Sequence, residues 1–316
     1  MILITGGLGF IGSHVVREFL DVGETVVATQ APSDRLAPFL VPAVGRGLTV
    51  ATVDLCSPHD IIDVCRRHRV DGIVHLAGPP IDVLSPAEDY RQNSISLINT
   101  LEAGRMAEVR RISIASSIAV YFGVPGPLHE DALVRLCPKH PIEAYKKAEE
   151  LLSVYYGSRT GVEIVSLRLA SIYGPLYRSL RHLPARLVHA VNRGVPGPLP
   201  MNALATLHAD DHATDLCYVA DCARGIRLVH QATSLRHQVY NIGGGENVTN
   251  RRFVEAASSV FPSGVFALED GMSDRNWPNA TMNIDRAAVD VGYRPEYSIE
   301  AALETYYRWL QEGHEF

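Results

Sequence analysis

A glycine-rich segment near the start of the chain has the residue types and spacing needed to bind a dinucleotide. It runs Thr5-Gly-Gly-Leu-Gly-Phe-Ile-Gly12, between an apolar run that predicts a strand and a segment with helical periodicity. Glycines allow a tight turn and let the backbone approach a pyrophosphate, whose charge is met by free amides at the N-terminus of the helix. A plain structural turn is the alternative. The cofactor-binding residues predicted here are Gly6, Gly9, Phe10, Ile11 and Gly12.

The adenosine half of such a ligand would meet residues that follow the second and third predicted strands. Gln30 stands where a dinucleotide fold often has an acid that accepts hydrogen bonds from the ribose. A neutral amide does not repel a 2′-phosphate, and Arg35 is close enough in sequence to pair with one, so NAD and NADP both stay open. Asp54, followed by Leu55, predicts either a hydrogen bond to the adenine amino group or a cap for the helix that begins at Ser57-Pro58.

The elements that must position these residues follow from alternating β-rich and helical segments, which are typical of βαβ units. We predict a Rossmann-type, doubly wound α/β fold with a smaller C-terminal substrate lobe. The NAD(P)-binding domain spans 1–172, with segments near 215–245 returning to it, and the lobe is mainly 173–316. The predicted strands are Ile2–Thr5, Thr25–Thr29, Leu48–Val53, Gly72–Leu76, Arg111–Ser116 and Glu163–Leu169, and the predicted helices are Gly12–Val22, Pro58–His68, Pro86–Met106 and Pro141–Tyr156. Short elements follow at Asp215–Val219, Val219–His230, Gln238–Ile242, Asn250–Phe261 and Ile299–Gln311, of which the first is a strand of the lobe and the last a helix.

Composition narrows the classes of partner. The chain has 316 residues, 47% of them hydrophobic, and a formal charge of −6, with no run of five basic residues. We therefore expect small molecules or other subunits as partners, and neither nucleic acid nor a membrane. Because the first strand is predicted to begin at Ile2, we expect no secretion signal. Five scattered cysteines without zinc-ligand spacing favour reduced thiols, no metal site and a cytoplasmic location.

Four further motifs accompany the glycine loop and together point to a family. They are His75-Leu-Ala-Gly78, Ser116-Ser-x-x-Val-Tyr121, Leu167-Arg-x-x-x-x-Tyr-Gly-Pro175 and Tyr240-Asn-Ile-Gly-Gly244. With them the chain resembles the extended short-chain dehydrogenase/reductases, and within these the NAD-dependent epimerase/dehydratase group, over nearly its whole length. The resemblance implies an oxidoreductase-type enzyme. It also places Leu76, Ala77 and Gly78 beside the cofactor.

The same resemblance implies a catalytic set around the nicotinamide. In the family a Ser or Thr, a Tyr and a Lys four residues after the Tyr lie there, with an Asn from the preceding helix. Ser117 matches the Ser by its spacing to Tyr121, and Asn93 matches the Asn. Lys146 matches the Lys, which holds the ribose and lowers the pKa of the phenol so that it can move a proton.

The tyrosine of this set is absent from its expected place. Counting from Lys146 and from the acid Glu150, the tyrosine position holds Ile142, which cannot transfer a proton. Tyr145 is adjacent to Lys146, but a helix turns these neighbours about 100° apart, so the two do not share a face. We expect another group or a water to carry the proton.

Two histidines are candidates for that group. The loop that contains His208 and His212 should lie where the lobe faces the cofactor, and either residue could act as acid/base, with Tyr121 and Tyr145 as weaker alternatives. The loop could instead bind a metal or be an ordinary solvated loop, since two histidines four residues apart converge on one ion only in a helix.

The substrate side also departs from the family. Sugar-nucleotide enzymes usually carry an Arg where this chain has Thr214, and an Asn where it has Ser171, which we still predict to contact the substrate together with Ser117. A nucleotide sugar would therefore need Arg178, Arg181 or Arg186 to meet its phosphates, although the stretch around the first two could equally be a solvated face.

The sequence is compatible with two classes of function. One is an enzyme that moves a hydride at a carbinol carbon, either in net dehydrogenation or as a step in epimerisation or elimination. The other is a catalytically silent NAD(P)-binding sensor or structural protein, which the absent tyrosine favours and the retained Ser117, Asn93 and Lys146 oppose. The resemblance also implies a homodimer built from two helices per subunit, Pro86–Met106 and Pro141–Tyr156.

Overall fold

The fold is described from a computed structural model of the chain. The structure describes residues 1–31, 35–79, 83–136, 138, 140–199, 207–211, 215–273 and 280–315. The strands are β1 (Ile2–Thr5), β2 (Val26–Gln30), β3 (Leu48–Thr52), β4 (Gly72–His75), β5 (Arg111–Ser117), β6 (Ile164–Leu169), β7 (Ser171–Tyr173), β8 (Leu216–Tyr218) and β9 (Val239–Ile242). The helices are α1 (Phe10–Asp21), α2 (Pro58–His68), α3 (Pro86–Met106), α4 (Pro141–Thr160), α5 (Leu183–Arg193), α6 (Val219–Gln231), α7 (Asn250–Val260), α8 (Asp285–Val291) and α9 (Ile299–Gln311).

Seven parallel strands form the central sheet, in the order β3-β2-β1-β4-β5-β6-β9. The order reverses beside β1, which is the switch point where doubly wound folds bind dinucleotides. Strands β1, β4 and β6 are buried along their whole length, as expected for a parallel sheet covered on both faces. The predicted Rossmann-type fold is therefore confirmed.

Local signals explain where the helices flanking the site begin and end. The Ser85 side chain accepts a hydrogen bond from the Glu88 amide while Glu88 bonds back to Ser85, so a capping box starts α3. Pro141 occupies the first turn of α4, and Gly161 in the left-handed region ends that helix. Both helices therefore begin, and α4 also ends, at residues suited to those places.

The C-terminal lobe contains three regular elements that the sequence analysis did not predict. Helix α5, absent from the sequence prediction, begins with Pro184 in its first turn and ends at Gly194. There the two residues that usually interrupt structure act as a helix start and a helix stop. Its apolar face packs with α7 and α9 around Leu187, Phe253 and Tyr306. Strand β7 and helix α8 were also missed, because three and seven residues are too short for a periodic pattern.

Two further features concern the sheet and the surface. Strand β9 lies beside β6 in the main sheet, whereas β7 and β8 form a separate two-stranded sheet. Within the described ranges, the helices are too short or too polar to span a bilayer.

Candidate active site

The loop between β1 and α1 is shaped by close backbone approach. Gly6 has φ +66°, and a Cβ there would lie 3.0 Å from Ala77. A Cβ on Gly12 would clash with the Gly6 carbonyl. By contrast, a Cβ on Gly9 would meet only the Gly6 carbonyl, at 3.2 Å. The loop thus needs glycine for packing at Gly6, Gly7 and Gly12, whereas at Gly9 an added Cβ would make one tight contact only.

The N-terminus of α1 fits a pyrophosphate. Gly9 is its N-cap and provides no side-chain hydrogen bond, and the first turn holds no acidic residue. Phe10 and Ile11 are half-buried in this turn. The first amides of the helix therefore have neither a side-chain cap nor a competing negative charge, which is the arrangement that binds an anion.

At the adenosine end, the structure shows local hydrogen bonds for the predicted residues. The Gln30 amide donates to Thr52 Oγ1 at 2.9 Å, and Arg35 is exposed. Asp54 Oδ1 accepts from the Cys56 amide at 2.9 Å, a turn that precedes α2. The Leu55 carbonyl accepts a hydrogen bond from the Asn99 side chain at 2.9 Å. Asp54 therefore stabilises this turn directly through one carboxylate oxygen.

Leu76, Ala77 and Gly78 continue from β4 along the same edge of the sheet. The Leu76 amide donates to the Thr5 carbonyl at 3.2 Å, which joins this segment to the glycine loop. Gly78 is exposed, and a Cβ there would lie 3.8 Å from Asn93 Oδ1. The predicted cofactor residues of β1 and β4 therefore share one edge with Asn93 of α3.

A buried network fixes α4 against the sheet. The Arg168 guanidinium pairs with the Glu150 carboxylate at 2.7 Å, and Ser116 donates to the same carboxylate. Arg168 also donates to the Tyr121 hydroxyl, which in turn donates to Asn241, both at 2.8 Å. These bonds join α4 to β5, β6 and β9. They set the rotation of the helix and hence the place of Lys146, one turn before Glu150.

Lys146 lies near the carboxyl end of β4. Its ammonium donates to the buried Glu149 carboxylate at 2.8 Å. Burial, together with the charge of Lys146, lowers the pKa of His75 to about 3, so His75 is neutral. The His75 ring bonds Thr5 at 2.8 Å. Lys146 is thus close enough to the end of β4 for its charge to act there.

Ser117 and Asn93 are both engaged in local hydrogen bonds. The Ser117 hydroxyl accepts from the Ala119 amide at 3.1 Å and caps a short 3-10 helix over Ile118–Tyr121. The Asn93 amide donates to the Asp89 carbonyl and carboxylate at 2.9 and 3.0 Å. Ser117 Oγ still has a proton to donate, because a hydroxyl that accepts one bond can also give one.

Ile142 lies in the first turn of α4, half-buried. Its amide donates to Nδ1 of His140, the N-cap of the helix, at 3.3 Å. Glu150 is two turns further along and is held by Arg168, so the helix carries Ile142 on the face of Lys146. An aliphatic side chain therefore occupies the position four residues before Lys146, one turn earlier on the same face of the helix.

Tyr121 and Tyr145, the two tyrosines considered as alternative proton-transfer groups, are hydrogen-bonded to other residues. The Tyr121 hydroxyl lies in the buried network, and burial raises its pKa to about 12. Burial, followed by a hydrogen bond to Asp89, raises the pKa of Tyr145 to about 12. Neither phenol ionises near neutral pH.

His208 lies in residues 207–211, the part of the histidine loop that the structure describes. His208 pairs with Glu269 in an isolated bridge, and its carbonyl accepts from the Asn250 side chain at 2.9 Å. Its Nδ1 is buried and, in the part of the chain that is described, has no hydrogen-bond partner. His212 lies outside the described residues. The hydrogen bonds of His208 thus tie it to other residues of the lobe rather than to Ser117, Asn93 or Lys146.

The predicted substrate residues occupy the segment from β7 to α5. The Ser171 amide donates to the Asp215 carbonyl at 2.8 Å. Arg178 and Arg181 are exposed, and the Arg181 amide is held by Ser179 Oγ at 3.2 Å. Arg186 is buried and donates to the Leu199 carbonyl, so it faces the lobe interior. Thr214 lies outside the described residues.

Sequence reasoning missed two acids near the site. Glu149 is the ion-pair partner of Lys146, and the spacing of three residues on a helix could have predicted it. Asp89 joins Asn93 to Tyr145 across α3 and α4, a tertiary pairing that no local pattern signals.

The fold and the glycine loop together define a Rossmann-type dinucleotide-binding protein. Comparison with known proteins specifies the family: the model of the NAD dependent epimerase/dehydratase family matches residues 2–243. A UDP-glucose 4-epimerase from Azospirillum brasilense is 27% identical over 312 residues, covering 94% of this chain and 87% of the relative. A dTDP-glucose 4,6-dehydratase from Streptomyces antibioticus is also 27% identical, covering 99% of this chain and 92% of the relative.

A solved structure agrees with this family assignment. The UDP-glucose 4-epimerase of Thermus thermophilus, solved in complex with NAD, has a TM-score of 0.73 and 26% identity, and the match covers 98% of both chains. The chain belongs to the NAD-dependent epimerase/dehydratase family. Its family members are enzymes, so the predicted resemblance and enzyme class are confirmed. The cofactor of the family is NAD, one of the two that the sequence left open.

Proposed function

We propose that this protein is an NAD-dependent enzyme that moves a hydride at a hydroxyl-bearing carbon of a sugar-like substrate. The hydride transfer is either the net reaction or a transient step of epimerisation or elimination. The observation that carries this proposal is the shared edge of the sheet, where the uncapped N-terminus of α1, the end of β4 and Lys146 of α4 lie. When bound, NAD accepts or returns the hydride.

The chain's own residues bind the cofactor and orient the substrate. The amides that follow Gly9 bind the pyrophosphate. Lys146, held by Glu149, binds the ribose hydroxyls, and Ser117 donates its hydroxyl proton to the substrate oxygen and orients it. Since Ile142 carries no proton, the substrate proton passes to a water or to a group other than the usual tyrosine.

A nucleotide sugar is the substrate class that we propose. Both curated relatives named above carry a nucleotide sugar in their names. Arg178 and Arg181 are the exposed cations between β7 and α5, and they can meet a diphosphate in place of the arginine that Thr214 replaces. Arg186 is unsuited to this role because it is buried and bonded to Leu199.

The experiment is a turnover screen with the purified chain. UDP-glucose, UDP-glucuronate and dTDP-glucose are each added with NAD, absorbance is followed at 340 nm, and products are identified by NMR. We expect one substrate to give a new sugar product, with reduced cofactor either accumulating or appearing transiently. Tight NAD binding without any product or absorbance change, from these and from simple alcohols, would contradict the proposal and favour a sensor.

A homodimer completes the proposal. Helices α3 and α4 expose apolar side chains to solvent, among them Tyr90, Ile98, Leu151 and Tyr155. A symmetric pairing of these two helices would cover them. Light scattering should give twice the 34.6 kDa chain mass.

Two substitutions locate the dimer face. Leu151→Glu should shift the mass to one chain, because it places a charge in the pairing surface. Leu133→Glu, at an exposed position outside the two helices, should not. A parent protein that is monomeric at micromolar concentration would contradict the dimer.

A further inference from the structure

A second concave site lies in the C-terminal lobe, apart from the glycine loop. Its volume is about 320 Å³, which is in the range of small-ligand pockets. It is bounded by the β7–β8 sheet, the first turn of α7 and the segment 295–300 that leads into α9. None of the residues assigned above to NAD or to proton transfer lines it.

Aromatic side chains form much of its wall. The ring centroids of Tyr218 and Tyr297 are 4.6 Å apart, and those of Tyr173 and Tyr218 are 5.8 Å apart. Phe253 packs edge-on against Tyr173 at 6.5 Å. Such a cluster presents several π faces and edges to one small volume.

Two of these tyrosines have hydroxyls that need a partner. Tyr173 is 3% exposed and Tyr218 is 5% exposed, and neither hydroxyl has a hydrogen-bond partner among the described residues. Burial, and after it neighbours that include Asp221 and Glu300, raises the pKa of Tyr173 well above its usual value. Both tyrosines line the cavity, and neither hydroxyl oxygen is among the fully enclosed polar atoms of the described residues that lack a partner, so both oxygens are accessible from the cavity. The hydrogen-bond partner of each hydroxyl therefore comes from the cavity, either as water or as the polar group of a ligand that displaces the water.

The lining carries an excess of negative charge. Four carboxylates, those of Asp221, Glu246, Glu296 and Glu300, face one guanidinium, that of Arg252. Arg252 is paired with Glu300 at 2.6 Å, and Arg224, which does not line the cavity, pairs with Glu296 at 3.1 Å and lies 3.7 Å from Asp221. Among the described residues, Glu246 is in none of these ion pairs, so a net negative charge remains, which favours a cation and opposes phosphates and carboxylates.

We propose that this cavity binds a small organic ammonium ion. Aromatic faces attract a cation, the two tyrosine oxygens accept its N–H bonds, and the carboxylates balance its charge. A neutral ligand of the same size would use only the apolar walls. The site is separate from the NAD site, so this proposal does not depend on the proposed function.

The test compares benzylammonium with benzyl alcohol, two ligands of nearly equal size that differ in charge. Calorimetric titration of the full chain should give one site for benzylammonium, with at least about tenfold higher affinity than for benzyl alcohol. Equal affinities would overturn the proposal. Absence of binding at millimolar concentrations would also overturn it, and would mean that the cavity holds water only.

Tyrosine variants locate the binding. Tyr218→Phe and Tyr173→Phe each remove one hydroxyl and should weaken benzylammonium about threefold or more, while leaving benzyl alcohol unchanged. Tyr307→Phe, in α9 but outside the cavity lining, is the matched control. Circular dichroism checks the fold of each variant. Parent-like affinity in both cavity variants would place any bound ammonium elsewhere and contradict the assignment.

Discussion

The glycine loop and the first turn of α4 lie at the same edge of the sheet, but different forces shape them. The loop depends on backbone approach, because Gly6 and Gly12 leave no room for a side chain. The place of α4 depends on side chains deeper in the helix, above all the Glu150–Arg168 pair. Residue 142, two turns away from that pair, is half-buried and contributes no side-chain hydrogen bond.

This difference shows which part of such a site can change. At Gly6 and Gly12 a single added carbon would push the backbone of the cradle apart, so the shape of the cradle depends on glycine at those two positions. A side chain in the first turn of a helix that is anchored elsewhere can change at little cost to the fold. We therefore propose that the chain combines an ordinary cofactor cradle with an altered group for proton transfer.

The largest expected effect is in the cradle. Gly9→Val should weaken NAD binding about a hundredfold or more, because the side chain enters the space that the pyrophosphate needs. The fold should survive, since a Cβ there meets only one atom, at 3.2 Å. Gly7→Val is the contrast: its Cβ would lie 2.7 Å from that of Ala28, so this variant should lose stability. Calorimetry and thermal unfolding separate the two, and parent-like NAD affinity in folded Gly9→Val would mean that NAD binds elsewhere.

A smaller effect is expected at the lysine of α4. Lys146→Ala should weaken NAD binding roughly tenfold to a hundredfold and reduce turnover further, because it removes charge-assisted hydrogen bonds to the ribose. Lys147→Ala is a matched control, since Lys147 likewise pairs with a buried acid of α4, Glu143, at 2.6 Å. Affinity measured by calorimetry should fall in the first variant only. Equal losses in both would indicate a general effect on α4.

The smallest effect is expected at the adenosine end. With Gln30 in place of an acid, affinities for NAD and NADP should differ by no more than about one or two decades. Gln30→Asp should then shift the ratio toward NAD by about tenfold, as a fixed negative charge repels the 2′-phosphate. Gln30→Glu tests the same charge on a longer side chain. If the parent already excludes NADP strongly, another residue carries the selectivity.

How far the sequence predicts this molecule depends on how local each feature is. The glycine loop and the β1 and α3 boundaries follow from neighbouring residues, and all were predicted within a few positions. The Asp89 link between Asn93 and Tyr145 requires two helices to meet, which no single segment encodes. The aromatic cavity of the lobe likewise joins β7, β8, α7 and α9, so it is visible only after folding.

Replacement of Ile142 tests the central claim most directly. Ile142→Tyr puts a phenol one turn before Lys146, on the same face, while Ile142→Phe adds the ring without the hydroxyl. With the substrate found in the screen, and NAD affinity checked in parallel, kcat should rise at least about tenfold in Ile142→Tyr, since a positioned acid/base contributes about 10²- to 10⁴-fold. The gain should be absent from Ile142→Phe. Equal kcat values in the two variants, with NAD affinity intact, would show that residue 142 does not face the reacting carbon, and would contradict the account.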